Sequence, residues 1–338
     1  MTPPGVVPRP ERAVCVTGMH RSGTSFIAYV LQRLGVSLGS VDRMMAPGPD
    51  NPAGYWENRD IKELNDAVLS CFGGSWDQPP VFRPGWEQDT TLDPLRVRAS
   101  ELLDEAFGAS PAGRGVIGWK DPRISLLLPF WRTVTPVTTT IVMVRDPAEV
   151  AASLRERNGI EEPQAAMLWL RYLLAATADD PGHLLVRHHD CFVDLPGTMA
   201  AVAAHLDLPP PGRHAAAEAR TYLDPSLRHH VASVDDRLDD NPLVALAGAV
   251  WDRGSVDFDA VPGLVGEAIR WGWVRPPIDG ELLARARAHE VELRDRFRQR
   301  RRQERAAQNA APSSADPAAR RPSVPTGARS SQPEDVGE

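Results

Sequence analysis

Apolar residues along the chain follow two spacings in turn. Short runs that are apolar on both faces, at residues 14–16, 115–119, 138–144 and 184–186, predict buried strands. Between them, apolar positions recur at three- and four-residue spacing and predict amphipathic helices. Phe26, Ile27, Val30, Leu31 and Leu34 mark the first, stopped at Gly35. Ile61, Leu64, Val68, Leu69 and Phe72 mark the second, stopped at Gly73 and Gly74. Further helices are predicted at 92–107, at 125–131 in spite of Pro129, from Pro147 through Leu154, and at 163–178 and 194–206. Asp146 is placed to cap the helix that Pro147 opens, with Glu149 in its first turn. Strands alternating with helices predict an α/β fold of three layers, a parallel sheet with helices on both faces.

Past residue 242 the pattern thins. Short helices are predicted at 243–251 and 263–273, and one long charged helix at 281–305. Residues 285–305 hold nine arginines against four acids. They read as a solvated or coiled-coil-like face, with a basic surface for a polyanion or membrane as the alternative. The expected organisation is a disordered tail at 1–11, an α/β domain at 12–235, a helical extension at 236–305 and a second disordered tail at 306–338.

Composition narrows the classes. A hydrophobic content of 42% supports a sizeable core, and a net charge of −7 gives no general reason to expect nucleic acid. No apolar stretch is long enough for a membrane span. The first twelve residues carry four prolines and no apolar run, so they do not read as a signal peptide. The cysteines, Cys15, Cys71 and Cys191, suggest neither a disulfide framework nor a zinc site. A cytoplasmic protein is expected. Only Lys62 and Lys120 are lysines among the 38 basic residues, which singles out any lysine at a strand end.

Residues 14–34 read as strand, glycine loop, helix. Gly18 and Gly23 bracket four residues ahead of a helix start, where unpaired N–H groups and the dipole favour an anion. The nucleotide-hydrolase loop carries Lys then Ser or Thr after its second glycine. Here Thr24 stands at the lysine position, Ser25 follows, and the cation is Arg21 inside the loop. That change suits a donor with fewer phosphates than a triphosphate held with magnesium. Two more cations follow strands: Lys120 before Asp121-Pro122, and Arg145 before Asp146-Pro147. In parallel sheets the ligand sits beyond those carboxyl ends.

Four stretches in order resemble sulfotransferases that use 3′-phosphoadenosine 5′-phosphosulfate, particularly a bacterial branch. They are residues 18–25, 51–59 (Asn-Pro-Ala-Gly-Tyr-Trp-Glu-Asn-Arg), 119–123 (Trp-Lys-Asp-Pro-Arg) and Arg145-Asp146-Pro147 with Ser153. The resemblance covers about residues 12 to 235 and implies a P-loop NTPase-like fold and metal-free transfer of a sulfuryl group to a hydroxyl or amine. It implies that Ser22, Gly23, Thr24 and Ser25 hold the 5′-phosphate. Arg21 and Lys120 would neutralise charge at the transferring group, and Arg145 with Ser153 would hold the 3′-phosphate. Arg228, in a late loop, would close over the nucleotide. Glu57 is the expected base: a carboxylate set among Tyr55 and Trp56 favours proton abstraction. His20 is its rival, and an acid at a helix start is the plain alternative for Glu57. The histidine pairs 188–189 and 229–230 are read as lying on extended chain, facing apart and unsuited to a metal.

The acceptor is expected to be a small molecule or glycan, met by the Trp-rich loop at 75–89 and the charged C-terminal helices. Oligomeric state stays open. Two other functions remain in view: an atypical P-loop kinase, and an inactive nucleotide- or polyanion-binding module.

Overall fold

A computed structural model describes residues 12–48, 51–108, 116–135, 138–178, 182–223 and 241–252, with single helical positions between 288 and 306. The chain divides into two units, 1–295 and 296–338, and everything below concerns the first. The predicted tails, the helix at 263–273, His229, His230, Arg228 and most of the helix at 281–305 lie outside the described residues.

The four predicted strands form one parallel sheet. They are β1 (Arg12–Thr17), β2 (Val116–Lys120), β3 (Thr138–Val144) and β4 (Leu184–Arg187), in the order β2-β1-β3-β4. The chain leaves β1 for one edge, then crosses back to the other side of it. That reversal puts the switch point of the sheet between β1 and β3. Register aligns the strand ends there: Val16 lies beside Lys120, Thr17 beside Val142, and Val144 beside Arg187.

Both faces of β1 are buried, as its apolar run requires. Ala13 and Cys15 belong to one core; Val14 and Val16 belong to the other. The second core holds α1 (Thr24–Arg33), with Phe26, Ile27, Val30 and Leu31 inward, and α8 (Leu195–His205). The first core gathers α2 (Arg59–Cys71), α3 (Asp93–Phe107), α4 (Ile124–Val134), α5 (Pro147–Asn158), α6 (Glu162–Ala178) and α10 (Pro242–Asp252). Helices therefore cover both faces in three layers, as the patterning predicts. Each buried Leu or Ile in these layers contributes about 1.5–3 kcal/mol.

The caps follow the sequence closely. Asn58 accepts from the amides of Asp60 and Ile61 at the start of α2, and Asp146 accepts from Ala148 N at the start of α5. One expectation fails. His188 and His189 do not continue an extended strand; they open a short helix, α7 (His188–Val193). The last described helix ahead of residue 224 is α9 (Arg213–Tyr222), which packs on α1 and α8.

Candidate active site

The loop after β1 is held by contacts that only glycine permits. Gly18 has φ of +128°, and a Cβ there would stand 2.2 Å from the Met143 carbonyl oxygen of β3. Its amide donates to Ser125 Oγ at 2.8 Å, tying the loop to α4. Gly23 caps α1 at φ of +87° and offers no side-chain acceptor. The amides that follow, on Thr24 and Ser25, lie in the first turn and have no partner within the helix. They face outward with the positive end of the helix dipole. Arg21 also has a positive φ, 69°, a strained setting for a residue that carries a Cβ.

A cleft of about 480 Å³ opens at this edge of the sheet. His20, Arg21, Thr24, Lys120, Arg145 and Ser153 all line it. Two cationic ends divide it. At one, Arg21 Nε donates to Ser153 Oγ at 2.8 Å, and Arg145 Nη1 donates to the Arg21 carbonyl oxygen at 3.2 Å. Arg145 Nε also donates to Glu149 Oε2 at 2.7 Å, one turn along α5. Arg21 thus stands with Arg145 and Ser153.

The other end is built on Lys120. Its ammonium donates to Glu57 Oε1 at 2.5 Å, to the Tyr55 carbonyl oxygen at 3.2 Å and to Ser25 Oγ at 3.4 Å. Ser25 Oγ donates to the same Tyr55 oxygen and accepts from Asn51 Nδ2. Trp56, at φ of +56°, turns the chain between Tyr55 and Glu57. Glu57 is buried, but its immediate neighbour is an ammonium and not the apolar setting expected from the aromatic residues around it. Lys120 itself is fixed from below. Asp121 accepts from Arg123 N and Nη1, both at 2.9 Å, and from Asn65 Nδ2 at 2.9 Å, while Asn65 Oδ1 accepts from Trp131 Nε1.

Not every predicted residue reaches the cleft. Ser22 is fully buried and is not among the residues that line it. The Trp-rich loop is clamped to α6 instead of standing free. Arg171 donates to the carbonyl oxygens of Pro79 and Pro80 at 2.9 and 2.8 Å, and Tyr172 Oη donates to that of Trp76 at 2.8 Å. Trp86 lies in the core against Phe72 and Phe82.

Three contributors escape the sequence reading. Arg157 lies on α5 one turn past Ser153, at the rim, with its guanidinium 5.8 Å from the Tyr55 ring centroid. Its four-residue spacing from Ser153 is the signal that finds it. His188 lines the cleft against Gly23. Tyr222 completes an apolar end with Phe26 and Phe192, its hydroxyl accepting from Trp56 Nε1 at 3.1 Å. Burial pushes the Tyr222 phenol up to about 12, so it stays a neutral hydrogen-bonding group.

His20 packs 4.4 Å from the Trp76 ring centroid, and its buried Nε2 has no hydrogen-bond partner among the described residues. Burial first, then Arg123, Lys120, Arg157 and Arg21, hold its pKa well below the ordinary 6.5. Below 6.5 the unfolded chain takes up a proton that the folded chain refuses. His20 therefore contributes stability that is complete above 6.5 and is lost as pH falls toward its folded value. Wild-type stability is expected to drop by up to about 1.4 kcal/mol more per pH unit in this window than that of a His20→Gln variant. Urea midpoints at a series of pH values measure it, and equal slopes in the two proteins contradict it.

Among the described residues no group of three or more His, Cys, Asp or Glu side chains is placed to hold a metal ion. No described helix is long and apolar enough to cross a membrane. No protein-family profile and no curated protein matches the chain. Solved structures similar to it include sulfotransferases. One from Mycobacterium tuberculosis is 17% identical, with a TM-score of 0.40 over 72% of this chain and 77% of that one. One from Mycobacterium avium is 16% identical, with a TM-score of 0.40 over 75% and 78%. The sulfotransferase domain of a Synechococcus olefin synthase is 15% identical, with a TM-score of 0.36 over 88% and 97%.

Proposed function

We propose that this chain is a sulfotransferase that takes a sulfuryl group from 3′-phosphoadenosine 5′-phosphosulfate and delivers it to the hydroxyl or amine of a small molecule or glycan. One observation carries the reading. A cleft at the switch point of the sheet has a helix N-terminus between two separate cationic ends, Lys120 on one side and Arg145 with Arg21 on the other. That pattern fits a ligand with two phosphate groups at a distance from each other, and its buried donors suit a phosphosulfate.

Each residue then has a task. The amides of Gly23, Thr24 and Ser25, with the Thr24 and Ser25 hydroxyls, hold the 5′-phosphate. Arg145, Arg21 and Ser153 hold the 3′-phosphate. Phe26, Phe192 and Tyr222 offer apolar ring surface for a purine. Arg228 is assigned to cover the nucleotide. Lys120 neutralises charge on the oxygen that links phosphorus to sulfur. Glu57 takes the proton of the acceptor as its oxygen or nitrogen bonds to sulfur; the sulfur–oxygen bond to the 5′-phosphate breaks, and its electron pair leaves on that phosphate. The site supplies placement and charge compensation, which is most of what such a transfer requires.

A kinase reading has less support. Asp146, which follows β3 and could stand in for a magnesium-binding carboxylate, is engaged as the cap of α5. Thermal shift separates the two. With 3′-phosphoadenosine 5′-phosphate at about 100 times its Kd, the protein is expected to gain about 2.7 kcal/mol of stability. ATP with magnesium is expected to give little. Stabilisation by ATP and magnesium alone contradicts the proposal.

A further inference from the structure

The Lys120 ammonium is shared among groups that have competing claims on it. An ammonium has three N–H donors. Three acceptors already face it: Glu57 Oε1 at 2.5 Å, the Tyr55 carbonyl oxygen at 3.2 Å and Ser25 Oγ at 3.4 Å. Glu57 has the strongest hold, through charge and distance. The pair is nearly closed to water, with side-chain exposures of 3% and 9%, so neither charge is balanced by solvent.

An anion on the first turn of α1 sits beside Ser25, within reach of the same ammonium. It adds a further acceptor to a donor whose three hydrogens are taken. It also adds a second negative charge for one positive charge to balance.

We infer that Glu57 and the donor's phosphosulfate compete for Lys120, so that binding of the donor releases the base. This rests on the sulfotransferase reading of the site and adds an order to it. With Lys120 held, Glu57 Oε1 is occupied as an ion-pair partner and is not open to an acceptor. When the ammonium turns to the phosphosulfate, that carboxylate oxygen is freed beside the reacting group. The loop that presents Glu57 is coupled to the same event. Ser25 and Lys120 both donate to Tyr55 O, and the left-handed Trp56 links Tyr55 to Glu57. The base is thereby available only where a donor is present to make use of it.

Competition for one cation has a reciprocal signature. A carboxylate that restrains Lys120 lowers the fraction of protein ready to bind the donor, and removing its charge removes that penalty. Calorimetric titration with 3′-phosphoadenosine 5′-phosphate reads this directly. The Glu57→Gln variant is expected to bind about three- to tenfold more tightly than wild type, although its turnover is lost. In a Lys120→Met background the Glu57→Gln change is expected to have no such effect. Equal or weaker binding by Glu57→Gln overturns the inference and leaves the sulfotransferase reading standing. So does tightening that persists undiminished in the Lys120→Met background, because it would come from direct repulsion. Failure of the wild-type protein to bind the nucleotide overturns the sulfotransferase reading, and this inference with it. Glu57→Asp, which keeps the charge and withdraws it from Lys120, gives the same test if Glu57→Gln does not fold: tighter binding supports release, and unchanged or weaker binding overturns it.

Discussion

Turnover by a Lys120→Ala variant is expected to fall by about two to three orders of magnitude, the loss typical of removing one preorganised donor to a developing charge. Lys120 closes β2 and reaches the first turn of α1 through Ser25. Its surroundings are dry enough that no water replaces its charge. The same truncation also leaves Glu57 buried without its ammonium, at a cost of about 3–5 kcal/mol of stability. Low activity alone therefore does not separate chemistry from folding. A double variant, Lys120→Met with Glu57→Gln, removes both charges together. It is expected to recover most of the lost stability and none of the turnover, as single-turnover kinetics and melting curves would show. Recovery of turnover in the double variant would make the lysine a structural residue only.

The second large effect is expected at Arg145. Replacing it by alanine is expected to weaken binding of 3′-phosphoadenosine 5′-phosphate by about 100-fold, since one member of a buried charge pair with the ligand is lost. Adenosine 5′-monophosphate, which lacks the 3′-phosphate, is expected to bind almost as well as to wild type. The contrast matters because Arg145 also has structural partners. It donates to Glu149 and to the carbonyl of the strained Arg21, so weaker binding of one nucleotide alone does not separate a lost ligand contact from a loop defect. A loop defect would weaken both nucleotides together; a lost 3′-phosphate contact weakens only one. Arg145→Lys is expected to recover little, because a point ammonium does not reproduce the two-direction fork that reaches Glu149 and Arg21. A fall in turnover with no change in either affinity would contradict the assignment.

The parts of the molecule visible in the sequence are those set by local rules. The strand from Thr138 to Val144, the cap at Asp146 and the glycines of the loop each follow from a few adjacent residues and a known backbone demand. The three cations at strand ends were also legible, because a parallel sheet gathers its carboxyl ends at one edge. What stayed hidden depends on contacts between distant residues. Glu57 and Lys120 are 63 positions apart, and nothing in either neighbourhood announces an ion pair. Arg21 and Ser153, 132 positions apart, meet only because β1 and β3 are neighbours and α5 leaves from the latter. Aromatic residues misled in a consistent way. Trp86 looked like a recognition residue, yet fills the core with Phe72 and Phe82, while Trp76 serves as packing for His20. A tryptophan in a Pro-rich segment reads the same whether it faces ligand or core. His188 was misplaced for a related reason: the apolar run of β4 carries no marker of where extended chain gives way to helix.

The central claim is that this cleft holds a nucleotide by two phosphates at once, one on the α1 turn and one on the Arg145 corner. The most direct measurement is the ratio of wild-type affinities for 3′-phosphoadenosine 5′-phosphate and adenosine 5′-monophosphate, by calorimetry at one ionic strength. A preference of about 100-fold or more for the doubly phosphorylated nucleotide is expected. Equal affinity for the two, or binding of neither, would contradict it.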